Sequence, residues 1–282
     1  MTARTVRRQL TSRVMTALVV LLSFIAVLAL VLILADLIVK GASSIDWAFF
    51  TKSPVPAGEP GGGVANAIVG TGIIVGLAAL IGVPVGVGAG IYLAEYGSGR
   101  LGFLVRFVAD VLNGTPSIVI GIVAWTFLVR PAGRFSALAG SVALAILMIP
   151  MLSRTTEEMV RLVPHSLREA ALALGYPRWR TSLKIVVRTA MTGIVTGCLV
   201  GIARVAGETA PLLFTALGNL NFSLNVTHPM QTLSLQIYVY ATGPFDEWHR
   251  MAWASALVLM GLVLIISLVA RWVTRQRYGS VR

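Results

Sequence analysis

Charge is scarce in this 282-residue sequence. Asp, Glu, Lys and Arg make up 12% of it, and the 11 acids are outnumbered by 23 bases. With 56% hydrophobic residues and a mean hydropathy of +0.84, that scarcity excludes an ordinary soluble domain. Cysteine occurs once, so no internal disulfide can form, and Cys198 lies in an apolar stretch as a small buried hydrophobe would. Among the three histidines, His228 has no His or Cys partner at ligand spacing, so neither a metal nor another cofactor is expected. No GxxxxGK[ST] loop is present, which excludes a chain that binds and hydrolyses ATP through such a loop.

What remains is a set of long apolar runs. Arg4, Arg7, Arg8 and Arg13 precede the first, Val14 to Val39, which is longer than a signal-peptide core and is expected to stay as an anchor. Trp47, Phe49 and Phe50 and the stretch SPVPAGEPGGG follow, suited to an interface and an irregular loop, so residues 1–63 are expected to form an anchor and an extracytoplasmic loop. Further spans are expected over Val64 to Ala94, Phe103 to Val129, Phe135 to Leu152, Arg188 to Leu217 and Met251 to Val273, within a unit of residues 64–282. The fold class is therefore an all-α polytopic membrane protein with six spans and both termini on one side.

Basic residues set the orientation. Of the 23 Lys and Arg, only Lys40, Lys52, Arg130, Arg134 and Arg250 fall on the side opposite the termini, and Arg204 lies within a span. The positive-inside rule puts the termini, and the C-terminal Arg275, Arg277 and Arg282, in the cytoplasm. Bases that flank spans are explained by topology, so nucleic acid is not expected as a partner, whereas membrane lipid is.

One basic island, Glu157 to Ile185, is too charged to lie in lipid. Pro164 is placed to be a first helical residue and Gly175 to end that helix with positive φ, while Pro177 begins a second helix. Val160, Val163, Leu167, Ala171 and Leu174 recur at three- and four-residue steps along one face. Glu169-Ala170-Ala171, three residues, Gly175, and nine residues to Ile185 resemble the EAA loop of ABC importer permeases, apart from Val187-Arg188 where Leu-Pro is frequent. The resemblance implies a type I importer permease in which Glu169, Ala170, Ala171 and Gly175 form a coupling helix that docks on a separate cytoplasmic ATPase.

Two further segments carry polar groups into the spans. Arg204 and Glu208 are four apart and could pair on one helix face, and Pro211 is expected to open the helix beside them. Such a pair can glue helices or line a path, and a fixed positive charge beside broken backbone favours an anion path. In the second segment Asn113, Thr115 or Ser117 could cap a half-helix restarting at Pro116, leaving free amides for an anion. Arg106 with Asp110, and Arg154 with Glu157, are spaced as ion pairs near helix ends, and the latter two are second-rank candidates for a gate.

Ala203-Arg204, Gly207-Glu208-Thr209-Ala210-Pro211 and Asn113-Gly114-Thr115-Pro116-Ser117 are similar to segments of the phosphate-specific ABC importer permeases, the PstA type. That resemblance implies a substrate pathway lined by Arg204, Glu208, Thr209, Asn113, Thr115 and Ser117. It also implies a bacterial inner-membrane assembly with a homologous second permease, two copies of an ATPase and an extracytoplasmic phosphate-binding protein. The chain itself is then a transport subunit and not an enzyme. Other readings are an ABC permease for another oxyanion or small solute, an ion-coupled secondary transporter, or a membrane scaffold.

Overall fold

The computed structural model describes residues 3–56, 59 and 61–275. Arg277 and Arg282, with Ala57, Gly58 and Pro60 of the loop expected to be extracytoplasmic, lie outside the described residues, as do the side chains of Arg4 and Arg275. The described residues are nearly all helical, in the order α1 (Ala3–Ala42), α2 (Trp47–Thr51), α3 (Ala65–Glu95), α4 (Arg100–Gly114) and α5 (Ser117–Ala124). A π-helical turn (Trp125–Val129) and α6 (Arg130–Ala132) extend α5, and α7 (Ala137–Arg161), α8 (His165–Ala173) and α9 (Arg178–Arg180) follow. A second π segment (Thr181–Val186) joins α9 to α10 (Val187–Ala206), and α11 (Ala210–Thr215), α12 (Leu233–Ala241) and α13 (Asp246–Arg275) complete the chain.

Five of these stretches are long and apolar enough to cross a bilayer: Arg7–Ala42, Ala65–Glu95, Ala137–Arg161, Arg178–Ala206 and Asp246–Val269. The sixth expected span is not straight. Its halves, Arg100–Gly114 and Ser117–Ala132, meet at 105° across Thr115-Pro116. The packing of α3 on α7 decides how that bent pair counts. Gly82 faces Met148, Gly86 faces Leu152 and Gly90 faces Thr156, so residue numbers rise together and the two helices run parallel. Parallel neighbours require the intervening chain to return to the other face of the membrane, so the bent pair makes one crossing.

Three boundaries differ from the sequence expectation by nine residues or more, and the first is the end of the fourth span, which runs on to Arg161, nine residues past Leu152. The fifth span starts at Arg178, ten residues before Arg188, because the π segment keeps the chain helical back to Pro177. It also stops early, at Ala206, with Gly207 as its C-cap, and does not reach Leu217. Pro211 then sits in the first turn of α11, where its missing N–H has no helical partner to lose, so it is not an interior kink.

The core is formed where α3, α7, α10 and α11 converge, with Ile74, Ala78, Leu144, Met148, Leu212 and Leu235 buried together. Small residues on α3 let α7 approach closely, which is what binds helices in lipid, where apolar burial alone gives no preference. Between α11 and α13 lies α12, which Thr232 caps by accepting from the Leu235 N–H at 3.3 Å. Its Leu233, Leu235 and Gln236 are buried. By contrast α1 stands away from the body, with no residue of its most apolar stretch buried. Its contact is with α13, near Leu37 and Gly41.

Candidate functional site: a charged cavity at two helix breaks

Two interruptions meet in the middle of the bundle. The α4–α5 break and the α10–α11 break share one cavity of about 240 Å³, lined by Asn113, Thr115, Ser117, Met151, Arg204 and Glu208 among others. They can approach because Gly121 on α5 lies against the backbone of Pro211: a Cβ there would sit 2.7 Å from the Pro211 Cα. Residues far apart in sequence thus come to one place, and Thr209, the N-cap of α11, is not among those that line it.

Arg204 is exposed in the last turn of α10, and its Nη1 lies 3.9 Å from Met151 Sδ. The ion pair expected with Glu208 is absent among the described residues. The cause is local: α10 ends at Ala206, so the two side chains no longer stand one α-turn apart on a continuous helix. Glu208 is anchored by its backbone, whose carbonyl accepts from Ser234 Oγ at 3.0 Å. Arg204 therefore lines the cavity with Met151 Sδ as its side-chain partner and no carboxylate paired to it among the described residues.

The other side of the cavity also differs in detail from expectation. Pro116 is the N-cap of α5, not its first helical residue, and no side chain caps that helix. Thr115 instead turns back, its Oγ1 donating to the Val111 carbonyl at 2.8 Å and closing the end of α4. The first-turn amides of α5 are left without a side-chain acceptor beside Ser117, at the positive end of a helix dipole. Arginine, hydroxyl and amide side chains and a helix terminus thus come together at one cavity, as donors of a kind that can replace the hydration water of an anion.

A second charged cluster lies on α7 toward its C-terminal end. Leu147 and Met151 line the cavity and Arg154 follows one turn on, with Glu157 a turn beyond. The Glu157 side chain is only 2% exposed and is surrounded by arginines: Arg106 Nε at 2.8 Å, Arg161 Nη2 at 2.6 Å and Arg154 Nη1 at 3.6 Å. Arg154 also reaches Asp110 at 3.2 Å. The Arg106–Asp110 pairing that the spacing allowed is therefore replaced by two bridges from α4 to α7. A buried carboxylate needs such compensation, since an unpaired one would be expelled or neutralised.

The coupling region is built as its glycine implies. Gly175 has φ +81°, its N–H donates to Leu172 O at 3.0 Å, and the Tyr176 N–H donates to Ala171 O at 3.2 Å, the pattern of a Schellman C-cap. Pro164 caps α8 and Pro177 caps α9, each one position before the helix it was expected to start. Ala171 is buried against the body, whereas Glu169 and Ala170 are exposed. Leu167 and Leu174 of the expected apolar face are exposed as well, at 41% and 78%.

Known proteins agree with this architecture. Residues 86–277 match the family described as binding-protein-dependent transport system inner membrane component. The chain is 46% identical to the phosphate transport system permease protein PstA of Yersinia pestis, over 86% of this chain and 82% of that protein. Its identity to PstA of Pasteurella multocida is 43%, over 94% of each chain.

The chain belongs to the PstA family of phosphate transport system permeases.

Its fold is shared more widely. The inward-facing MetNI methionine ABC transporter superposes with a TM-score of 0.65 at 18% identity, over 76% of this chain and 95% of that one. An amino acid ABC transporter superposes at 0.58 and 19% identity, over 75% and 92%. At that identity only the helical frame is common. The Glu157 cluster of this PstA-family chain joins residues 51 apart on two helices, α4 and α7, through Arg106, which neither composition nor periodicity signals.

Proposed function

We propose that the chain forms one half of the transmembrane pathway through which an ATP-driven ABC importer moves inorganic phosphate into the cytoplasm. Arg204, free of any carboxylate among the described residues and set at the junction of two broken helices, is the observation that carries this reading. Its charge offsets the dehydration of the anion, while Asn113, Thr115 and Ser117 supply neutral polar groups. Glu208 keeps the site from becoming a trap, because a conducting site must also release, and Thr209 belongs to the pathway as the N-cap of α11 beside it. Arg154 and Glu157, on the cytoplasmic side of the cavity, form the gate.

In this reading residues 1–63 are an anchor and extracytoplasmic loop, and residues 64–282 are the permease proper, in a multi-pass inner-membrane protein with both termini cytoplasmic. The pore is completed by a homologous second permease. Two ATPase copies engage Glu169, Ala170, Ala171 and Gly175, and an extracytoplasmic binding protein delivers phosphate. Closure of the ATPases moves the coupling helix and alternates access to the cavity.

The test is uptake of labelled phosphate by cells expressing the full complex with Arg204→Gln. Uptake is expected to fall at least a hundredfold while the variant still co-purifies with the ATPase. Disassembly of the complex would assign Arg204 to helix packing instead. Uptake suppressed by excess sulfate would point to another oxyanion.

A further inference from the structure

The coupling helix is attached to the spans by more than its flanking turns. Span α3 ends at Glu95, and its carboxylate is shared between two partners. Oε1 accepts from Arg168 Nε at 3.2 Å and Nη2 at 3.0 Å, and Oε2 accepts from Ser182 Oγ at 2.8 Å. Arg168 Nη2 also donates to Val160 O at 2.9 Å and its Nη1 donates to Val163 O. Those carbonyls close the end of α7, where helix geometry leaves acceptors unused. One guanidinium on α8 thus grips the ends of α3 and α7 and, through Glu95, the base of the fifth span. Both side chains are largely buried, 16% exposed for Arg168 and 11% for Glu95.

The same end of α3 is held by a second arginine. Arg106 of α4 donates Nη2 to Leu93 O and Nη1 to Gly97 O, each at 2.8 Å. Its Nε holds Glu157. The last turn of α3 therefore sits between two arginines, one on the coupling helix and one on the half-span that ends at Asn113 in the cavity.

We propose that this turn, Leu93 to Gly97, is the joint that carries displacement of the coupling helix to α4 and hence to the cavity, with Glu95 and Arg168 as its positioning pair. The proposal rests on the importer reading above. Without the pair, α8 keeps its flanking turns at residues 162–164 and 174–177 and the packing of Ala171 on the body, but it loses its side-chain tie to the end of α3 and can rotate while α3 and α4 stay still. A planar guanidinium bound at several edges resists that rotation in a way a flexible ammonium does not. The exposed Glu169 lines the same cavity as Glu95, Arg168 and Ser182, so the docking surface adjoins the joint, and the ratio of phosphate moved to ATP hydrolysed is what separates lost transfer from lost docking.

The experiment uses the complete complex in proteoliposomes, with phosphate imported and ATP hydrolysed measured in the same vesicles. Glu95→Gln and Arg168→Gln are each expected to lower phosphate moved per ATP about fivefold. The double variant falls no lower than Arg168→Gln alone, because either change already breaks the pair. Import and hydrolysis that fall in parallel, at constant ratio, would overturn the proposal, as would losses that multiply in the double variant. Should Glu95→Gln fail to assemble, Ser182→Ala removes the Oε2 bond while leaving the Arg168 bonds in place, its other loss being a contact within its own helix, to the Arg178 carbonyl at 3.1 Å. A lowered ratio then supports the joint and an unchanged one overturns it. A wild-type complex that imports no phosphate would remove the importer reading itself, a separate result.

Discussion

Arg106 Nε lies 2.8 Å from Glu157 Oε1, and this contact ties the helix leading into the cavity to the helix that leads out to the coupling loop. Glu157 is buried and also faces Arg154 and Arg161, so its removal leaves positive charge with no counterion. Glu157→Ala is expected to destabilise the assembled protein by about 3 kcal/mol, since breaking a buried pair exceeds the net worth of the pair. Thermal unfolding of the purified complex checks this. Glu157→Gln, which keeps the shape and one acceptor, should lose less.

A side chain at residue 121 cannot fit while α5 and α11 remain in contact, because its first atom meets the Pro211 Cα at 2.7 Å. Gly121→Val should therefore open the cavity and reduce phosphate uptake more than tenfold, with membrane levels of the protein preserved. Gly114, at the end of α4, has open space where its Cβ would go. Gly114→Ala is the matched control and should retain uptake.

At the end of α8 the backbone, not the space, is limiting. A Cβ on Gly175 would meet nothing within 4 Å, but the residue's φ is +81°. Gly175→Val places a β-branched residue in the left-handed region, which costs about 1–2 kcal/mol or more. The helix end should fray, and binding of the ATPase to the permease, read by co-purification, should weaken. Gly175→Asn tolerates that region better and should bind nearly as wild type.

Glu169 is exposed at the surface that would meet the ATPase, whereas its neighbour Ala171 packs inward. Reversing the charge with Glu169→Lys is expected to abolish phosphate-stimulated ATP hydrolysis in membranes carrying the full complex. Basal hydrolysis by the ATPase should persist. Stimulation equal to wild type would show that the exposed carboxylate plays no part in coupling.

The sequence is most legible where local chemistry acts alone. Gly175 announces a positive φ and the apolar runs announce spans, since both depend on residues within a few positions of one another. Helix ends are harder to read. The fifth span continues back through the π segment to Arg178 because its bases lie beyond the apolar core of the helix, where charge does not oppose helix formation. Arg204 with Glu208, and Arg106 with Asp110, have helical spacing, but one pair loses its continuous helix and the other finds better partners on α7. Contacts such as Glu95 with Arg168, 73 residues apart, leave no trace in spacing at all. Which residues line the cavity follows from short motifs, but that two breaks share it depends on the approach of Gly121 to Pro211.

The isolation of α1 has a consequence for how the chain responds to its lipid. The apolar run from Val14 to Val39 is about 39 Å long at 1.5 Å per residue, against a hydrocarbon layer of about 30 Å. A span of that length is accommodated by tilting or by local thickening of the bilayer, and the most apolar stretch of α1 has no buried residue that would fix an angle. Its base is pinned to α13, where Gly41 lies against the Trp253 carbonyl and Lys40 sits 4.7 Å over the Trp253 ring. A change in bilayer thickness would therefore alter the lean of α1 about that contact.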